Sequence, residues 1–155
     1  MSDDLAIELR YQADYRFQVD FDHGRSPTLL TDLGPPLGQA AGPDPEKLLA
    51  SAVATCLSSS LLFALKKYGN EAPPIRTRAT PELARNEQKR LRVARIAVEL
   101  DLGVPAASLK SLERTLATFE DFCVVTQSVR AAIPVDVRIV DGDGVELAAG
   151  QPRAN

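Results

Sequence analysis

The sequence predicts an α+β fold in which antiparallel sheets surround one long central helix and a second helix follows. Residues 44–68 carry apolar side chains at helical spacing, whereas residues 5–21 and 91–102 alternate apolar and polar side chains with the period of a strand. Strands and helices are grouped along the chain and do not alternate as in βαβ units, which favours the α+β class. With 155 residues, of which 45% are apolar, we expect one domain over 1–149 and a frayed tail over 150–155.

The N-terminal third predicts a small sheet. Residues 5–21 are expected to form a half-buried strand, or a strand pair with a bend. The Gly- and Pro-containing segment 23–27 predicts a turn, and 28–32 the returning strand. A Gly/Pro-rich segment over 34–43 then leads to the central helix.

The central helix is predicted over 44–68. Asp44 is a good N-cap, Pro45 suits the first helical position, and Glu46 places negative charge at the positive end of the helix dipole. Positions away from the apolar stripe carry small residues where a surface helix would carry charges. The helix is therefore expected to be covered on most sides and to pack against its own copy in a homodimer. Cys56 lies in its middle.

The segment after the central helix predicts two antiparallel strands, over 75–84 and 91–102, joined by a turn at 86–89. The alternation in the second strand slips near Ala94, which suggests a β-bulge.

The C-terminal third predicts helices followed by a hairpin. A second helix is expected from Pro105 to Phe119, and a short third helix over 126–132. Residues 133–140 predict a strong strand, which pairs across a tight turn with 145–148.

Charge and terminal sequence limit the possible partners and locations. A formal net charge of −3 gives no reason to expect nucleic acid or an anionic membrane as a partner. The N-terminus lacks a basic and apolar leader, and the central helix is interrupted by Ser and Thr and too polar at its edges to span a bilayer comfortably. We therefore expect a cytoplasmic protein, in which a disulfide would be transient and linked to redox chemistry.

The two cysteines are the first candidates for chemistry. Taken singly, Cys56 and Cys123 are expected to be small buried hydrophobes. They are too far apart for a Cys-x-x-Cys pair, and one histidine, His23 in a turn, does not complete a zinc site. No phosphate loop or dinucleotide motif occurs, so neither a metal nor a cofactor is expected.

Three features together resemble the OsmC/Ohr family, named for osmotically inducible protein C and organic hydroperoxide resistance. They are Pro45-Glu46-Lys47-Leu48-Leu49-Ala50, Cys56 ten residues after Glu46 on a Ser- and Ala-rich helix, and Phe-x-x-Phe-Cys-Val-Val after a second helix. The resemblance covers nearly the whole chain. It implies a thiol peroxidase built as an intertwined α+β homodimer, whose two central helices pack together and whose active sites lie at the subunit interface.

The resemblance also implies residue roles. Cys56 matches the peroxidatic cysteine and Cys123 the resolving cysteine, while Glu46 matches an acidic residue at the start of the central helix. The family uses an arginine of the N-terminal hairpin to hold the thiolate; Arg25 is our first assignment and Arg16 the alternative. One departure is Cys123-Val124, where family members often have Cys-Pro.

Physical chemistry explains why these residue types are needed. The thiolate is the nucleophile, and a cysteine in mid-helix receives no help from a helix N-terminus, while burial raises its pKa. A guanidinium close to Cys56 would favour the thiolate, and Glu46 would fix the orientation of that guanidinium. Ten residues of helix span about 15 Å. We therefore expect Glu46 and the arginine to approach Cys56 from the partner subunit.

The expected reaction is reduction of a small-molecule peroxide. Cys56 would become a sulfenate, Cys123 would condense with it to a disulfide, and an external dithiol would reduce that disulfide. An apolar pocket would favour organic hydroperoxides over hydrogen peroxide, because apolar walls add binding only for an apolar tail. The residues expected to line it are Leu48, Leu49, Val53, Phe119 and Phe122.

Two alternatives stay open at this point. One is a non-catalytic dimeric binding or structural domain of the same fold, with Cys56 as a packing residue. The other is a hotdog-type thioesterase, in which a sheet also wraps a long helix. The helix expected from Pro105 to Phe119 interrupts the strands and disfavours the hotdog fold.

Overall fold

The computed structural model describes residues 6–147, and the tail expected over 150–155 lies outside this range. The chain divides into two compact units with the boundary between Leu48 and Leu49, within the first turn of the central helix. The single domain over 1–149 stays a prediction.

The first unit contains a three-stranded antiparallel sheet in the order β1-β2-β3. Its strands are β1 (Glu8–Ala13), β2 (Arg16–Asp20) and β3 (Leu29–Thr31). The tight turn between β1 and β2 includes Asp14 at φ 47°, a left-handed conformation that Asp adopts more readily than most residues. The strand pair with a bend and the returning strand are thus confirmed, but the expected half-burial is found only in β2, since every residue of β1 is exposed.

A buried carboxylate organises the Gly/Pro-rich loop after β3. The side chain of Asp32 is 1% exposed and accepts the backbone N–H groups of Leu33 (2.9 Å), Gln39 (3.0 Å) and Ala41 (3.1 Å). These hydrogen bonds lower the pKa of Asp32, the bond from Ala41 most strongly. One short acidic side chain therefore replaces the regular hydrogen bonds that this loop lacks.

The central helix α1 spans Pro45–Lys67, as predicted. Asp44 accepts the backbone N–H of Lys47 at 2.9 Å, which is the expected N-cap bond. One face of α1 is buried through Val53, Leu57, Leu61 and Leu65, each 0% exposed. The opposite face is exposed and uncharged at Ser51, Thr55, Ser59 and Phe63.

Among the described residues, α1 is long and apolar enough to cross a membrane by length and composition alone. The expectation that this helix is too interrupted by Ser and Thr, and too polar at its edges, to span a bilayer is therefore wrong by that criterion. Core helices of soluble proteins meet the same criterion, so it is weak evidence for a membrane span.

The second unit contains a four-stranded sheet in the order β4-β5-β6-β7. The strands are β4 (Arg76–Arg85), β5 (Leu91–Asp101), β6 (Val135–Val140) and β7 (Glu146–Leu147). The β4/β5 and β6/β7 pairs are antiparallel, as predicted, but β5 and β6 are parallel. A parallel pair requires a long crossover, which the helical segment between these strands supplies.

The predicted bulge in β5 is confirmed. Glu82 pairs with Arg95 and Leu83 pairs with Val93, so Ala94 is left unpaired. The extra residue shifts the alternation of side chains along β5, which is the slip seen in the sequence.

The second helix does not begin at Pro105 as predicted. A single 3₁₀ turn covers Ala106–Ser108, Leu109 is extended, and α2 spans only Leu112–Thr118. The cause is a tertiary contact: the Asn70 side chain accepts the N–H of Lys110 (2.7 Å) and donates to its C=O (3.0 Å). These two bonds hold Lys110 outside the helix.

The third helix, α3, spans Val124–Arg130 and begins two residues earlier than predicted. A 3₁₀ turn over Phe119–Phe122 joins it to α2 and leaves Cys123 between the two. The hydrophobic core of the second unit lies between α1, the buried face of the β-sheet, and α2 with its following turn. Its fully buried side chains include Leu57, Leu61, Leu65, Ile96, Leu100, Phe119, Cys123 and Ile139.

Candidate active site

Cys56 lies in the middle of α1, half-buried and packed against the core of the second unit. The buried neighbours Val53 and Leu57 fix the rotation of α1 about its axis, and this places Cys56 at the edge of the core. Its thiol is free. The residue thus combines a rigid helical position with partial access from outside.

Cys123 is fully buried between the 3₁₀ turn and α3. Its backbone N–H donates to the C=O of Glu120 (3.0 Å), and its own C=O accepts the N–H of Gln127 (2.9 Å). Its thiol donates to Oγ1 of Thr126 at 2.9 Å. Backbone and side chain are therefore both held in place.

Cys56 packs against the buried core cluster that contains Cys123. Burial raises the pKa of the Cys123 thiol, and direct interaction with the Cys56 side chain raises it further, while Thr126 lowers it. Cys123 is therefore protonated at neutral pH. A thiol beside a second, oxidised thiol can give up its proton, attack that sulfur and close a disulfide.

The other predicted site residues belong to the first unit. Glu46 lies half-buried in the first turn of α1, and its carboxylate makes no hydrogen bond or ion pair within residues 6–147. Arg25 is exposed in the loop between β2 and β3, where its Nε donates to the C=O of Asp22 (3.2 Å).

Arg16 occupies a different setting from Arg25. It is the first residue of β2, directly after the tight turn of the N-terminal hairpin. Its Nε lies 3.7 Å from Oδ2 of the buried Asp32, and within the described residues this buried Nε has no hydrogen-bond partner. The guanidinium is thus held near Asp32 by charge, while its Nε lacks an acceptor in the described part of the chain.

The residues expected to line an apolar pocket differ in their burial. Val53 and Phe119 are 0% exposed and form part of the core, so they do not face an open cavity in the single chain. Phe122 is 68% exposed, and Val124 on the other side of Cys123 is 76% exposed. Apolar side chains therefore flank the buried thiol at the surface.

Three residues near Cys123 were not predicted from the sequence. Thr126 could have been found, because it lies three residues after Cys123 at the start of a helix. Glu120 and Arg130 form an ion pair of 2.5 Å whose side chains are 13% and 19% exposed. Nothing in the sequence indicates this pair, because it depends on how α3 turns back along the preceding segment.

Within the described range 6–147, no cluster of three or more His, Cys, Asp or Glu side chains is arranged to hold a metal ion.

Comparison with solved structures identifies the same fold in other proteins. An OsmC-like protein from Mycoplasma pneumoniae superposes with a TM-score of 0.73 at 12% identity, covering 91% of this chain and 99% of that one. The organic hydroperoxide resistance protein OhrB of Bacillus subtilis gives a TM-score of 0.64 at 16% identity, covering 86% and 96%. The organic hydroperoxide resistance protein OsmC from Legionella pneumophila gives 0.62 at 16% identity, also covering 86% and 96%. At these identities the likeness establishes the fold alone.

Comparison with curated proteins gives no match. The model of the OsmC-like protein family matches residues 38–138, which is more than half of the chain and includes both cysteines. This match agrees with the mixed α and β architecture and with the solved structures that share it. The chain therefore belongs to the OsmC-like protein family.

Proposed function

We propose that this protein is a thiol-dependent peroxidase that reduces organic hydroperoxides, with Cys56 as the peroxidatic and Cys123 as the resolving cysteine. The observation that carries the proposal is that two free cysteines share one part of the core, where half-buried Cys56 packs against the buried cluster that contains Cys123. Membership of a family whose solved relatives include organic hydroperoxide resistance proteins supports the choice of substrate.

The reaction proceeds in three balanced steps. The Cys56 thiolate attacks the terminal oxygen of ROOH, so that an S–O bond forms and the O–O bond breaks. The departing alkoxide takes up the proton that the thiol released and leaves as ROH, which gives Cys56 sulfenic acid. The Cys123 sulfur then attacks the Cys56 sulfur, water leaves, and a disulfide forms. An external dithiol returns two electrons and two protons by thiol–disulfide exchange.

The proposed order of roles follows from burial. Cys56 is the more accessible thiol, so a peroxide reaches it before it reaches Cys123. Because its pKa is raised, Cys123 stays protonated and unreactive toward peroxide at neutral pH. Cys123 reacts only after the neighbouring Cys56 sulfur has been oxidised and has become electrophilic.

A guanidinium is still needed to favour the Cys56 thiolate. We assign this role to an arginine of the partner subunit, paired with Glu46. Arg16 suits the role better than Arg25, because it lies in the N-terminal hairpin and its buried Nε has no hydrogen-bond partner within 6–147. The Glu46 carboxylate, equally unengaged within that range, has free oxygens to receive it.

The homodimer rests on the exposed face of α1. An uncharged helix face with an exposed Phe63 (65%) is unusual for a solvated surface and suits contact with a second α1. The hotdog-type alternative is excluded by the family and fold of this chain.

The deciding experiment is the intact mass of reduced protein after one equivalent of cumene hydroperoxide. We expect the wild type to lose two hydrogens and the Cys123→Ser variant to gain one oxygen, which the Cys56→Ser variant should not gain. An unchanged mass in the wild type and in Cys123→Ser would contradict the proposal and favour a non-catalytic binding domain. Equal rate constants with hydrogen peroxide and cumene hydroperoxide would contradict the substrate assignment alone.

A further inference from the structure

The Glu120–Arg130 ion pair closes a loop around Cys123. Nη2 of Arg130 lies 2.5 Å from Oε2 of Glu120, which links the 3₁₀ turn before the cysteine to the end of the helix after it. Arg130 also donates through Nε (3.3 Å) and Nη2 (3.1 Å) to the C=O of Val135, the first residue of β6. The pair thus ties both ends of the cysteine segment to the sheet.

The backbone of Glu120 takes part in the same arrangement. Its C=O accepts the N–H of Cys123 (3.0 Å) and Nε2 of Gln127 (2.9 Å). A displacement of Glu120 would therefore move the residue that carries the thiol. The ion pair, the turn and Cys123 form one connected unit.

The energetics of this pair favour a geometric role. Both side chains are largely withdrawn from water, and Oε1 of Glu120 is buried without a hydrogen-bond partner in the described part of the chain. Buried ion pairs contribute little net stability because of their desolvation cost, and an unsatisfied buried oxygen adds to that cost. Such a pair instead fixes the orientation of the residues it joins, which here is the orientation of residues 119–130.

We propose that Glu120 and Arg130 are positioning residues that hold Cys123 against Cys56 for disulfide closure. This inference rests on the proposed function, because it assigns the pair to the resolving step. Neither residue touches the peroxide, and neither is needed for formation of the Cys56 sulfenic acid. Loss of the pair lets the Cys123 sulfur leave its line of attack, and misplacement by about 1 Å costs up to about 10²-fold in rate.

Rapid mixing of reduced protein with cumene hydroperoxide separates the two steps. Trapping with dimedone measures sulfenic acid formation, and intact mass over time measures disulfide closure. In Glu120→Gln, which keeps the shape but removes the charge, we expect closure to slow by about tenfold or more while sulfenic acid formation stays within about twofold. Arg130→Lys keeps the charge but loses the planar fork, so its closure rate should lie between those of Glu120→Gln and wild type.

The matched control is Glu99→Gln. It removes the same charge from the Arg138–Glu99 pair, whose side chains are 51% and 40% exposed on the sheet. An exposed ion pair contributes little to stability. The rates of sulfenic acid formation and of disulfide closure in Glu99→Gln should therefore both stay within about twofold of the wild type. Closure at the wild-type rate in Glu120→Gln and Arg130→Lys would overturn the inference, as would equal slowing of both steps. If Glu120→Gln does not fold, Arg130→Lys decides by the same criteria.

A second reaction separates failure of this inference from failure of the proposed function. The aromatic disulfide 5,5′-dithiobis(2-nitrobenzoate) forms a mixed disulfide at Cys56 and releases one coloured thiolate. Attack of Cys123 on the Cys56 sulfur then releases the second. If the wild type forms the Cys56–Cys123 disulfide in this assay but does not react with peroxide, the proposed peroxidase function is disproved. The positioning role is still supported if Glu120→Gln releases the second coloured thiolate more slowly than the wild type. Equal second release in both proteins overturns that role.

Discussion

Two buried threonines near the candidate site should respond in opposite ways to the same substitution. Thr115 in α2 and Thr126 in α3 are both 0% exposed. Oγ1 of Thr126 accepts the Cys123 thiol proton at 2.9 Å, whereas Oγ1 of Thr115 has no hydrogen-bond partner among residues 6–147. Substitution by Val replaces the hydroxyl with a methyl group of similar size at each position.

The expected magnitudes follow from these partners. Thr126→Val removes a hydrogen bond and leaves the Cys123 S–H without an acceptor, which should lower the free energy of unfolding by about 1 kcal/mol. Thr115→Val removes a buried, unsatisfied oxygen and should raise the free energy of unfolding by about 1 kcal/mol. For a chain of this length, 1 kcal/mol corresponds to a shift in Tm of about 2–4 °C, so the two variants should differ by about 4–8 °C.

Urea and thermal unfolding under reducing conditions measure both changes, because a reductant prevents the Cys56–Cys123 disulfide from adding its own stabilisation. Thr126→Val should also raise the pKa of Cys123, since Thr126 lowers it in the wild type. A Thr115→Val variant that is destabilised as much as Thr126→Val would refute the reasoning. So would a Thr126→Val variant with wild-type stability.

Other predictions follow from burial, charge and titration. Leu61→Ala should lower the free energy of unfolding by about 2–5 kcal/mol in urea titrations, whereas Phe63→Ala, at a 65% exposed position on the same helix, should lower it far less. The pKa of Asp32 is lowered in the folded protein, so its contribution to stability is present above the ordinary Asp pKa and is lost as the pH falls through the pKa of the folded state. Asp32→Asn should therefore unfold more easily than the wild type at neutral pH and lose less stability on acidification. The pKa of Cys123 is raised in the folded protein, so its contribution to stability is complete below the ordinary thiol pKa and is lost as the pH rises through the pKa of the folded state. Cys123→Ser should therefore lose less stability than the wild type between pH 8 and about pH 10. Thr55→Arg places a charge on the exposed face of α1 and should convert the dimer to a monomer, as measured by light scattering. A wild type that is itself monomeric would contradict the proposed interface.

The sequence predicted the elements whose signals are local. Asp44 and Pro45 define the start of α1, and the period of apolar residues defines its buried face, because capping and helical spacing involve residues only a few positions apart. The slip at Ala94 likewise predicted the bulge in β5 from the alternation of neighbouring side chains. Resemblance to the OsmC family, also visible in the sequence, selected both cysteines.

The start of α2 and the pairing of β5 with β6 were decided by contacts between distant parts of the chain. Asn70 holds Lys110 outside the helix that local spacing had predicted, and the parallel pairing depends on where the helical crossover returns β6. Neither partner is a sequence neighbour, so no local pattern records the contact.

The same distinction applies to the candidate site. Residue type alone predicted two small buried hydrophobes, and the roles of Cys56 as nucleophile and Cys123 as second thiol came from the resemblance to the OsmC family. Only the tertiary structure shows that Cys56 packs against the core cluster containing Cys123, and that Cys123 is fully buried with its thiol hydrogen-bonded to Thr126. It also shows that Glu120 and Arg130 form an ion pair across the segment that carries Cys123. The physical reason is that burial, and the raised pKa it causes, depend on which elements pack together, whereas helical and strand periods depend on the chain's own neighbours.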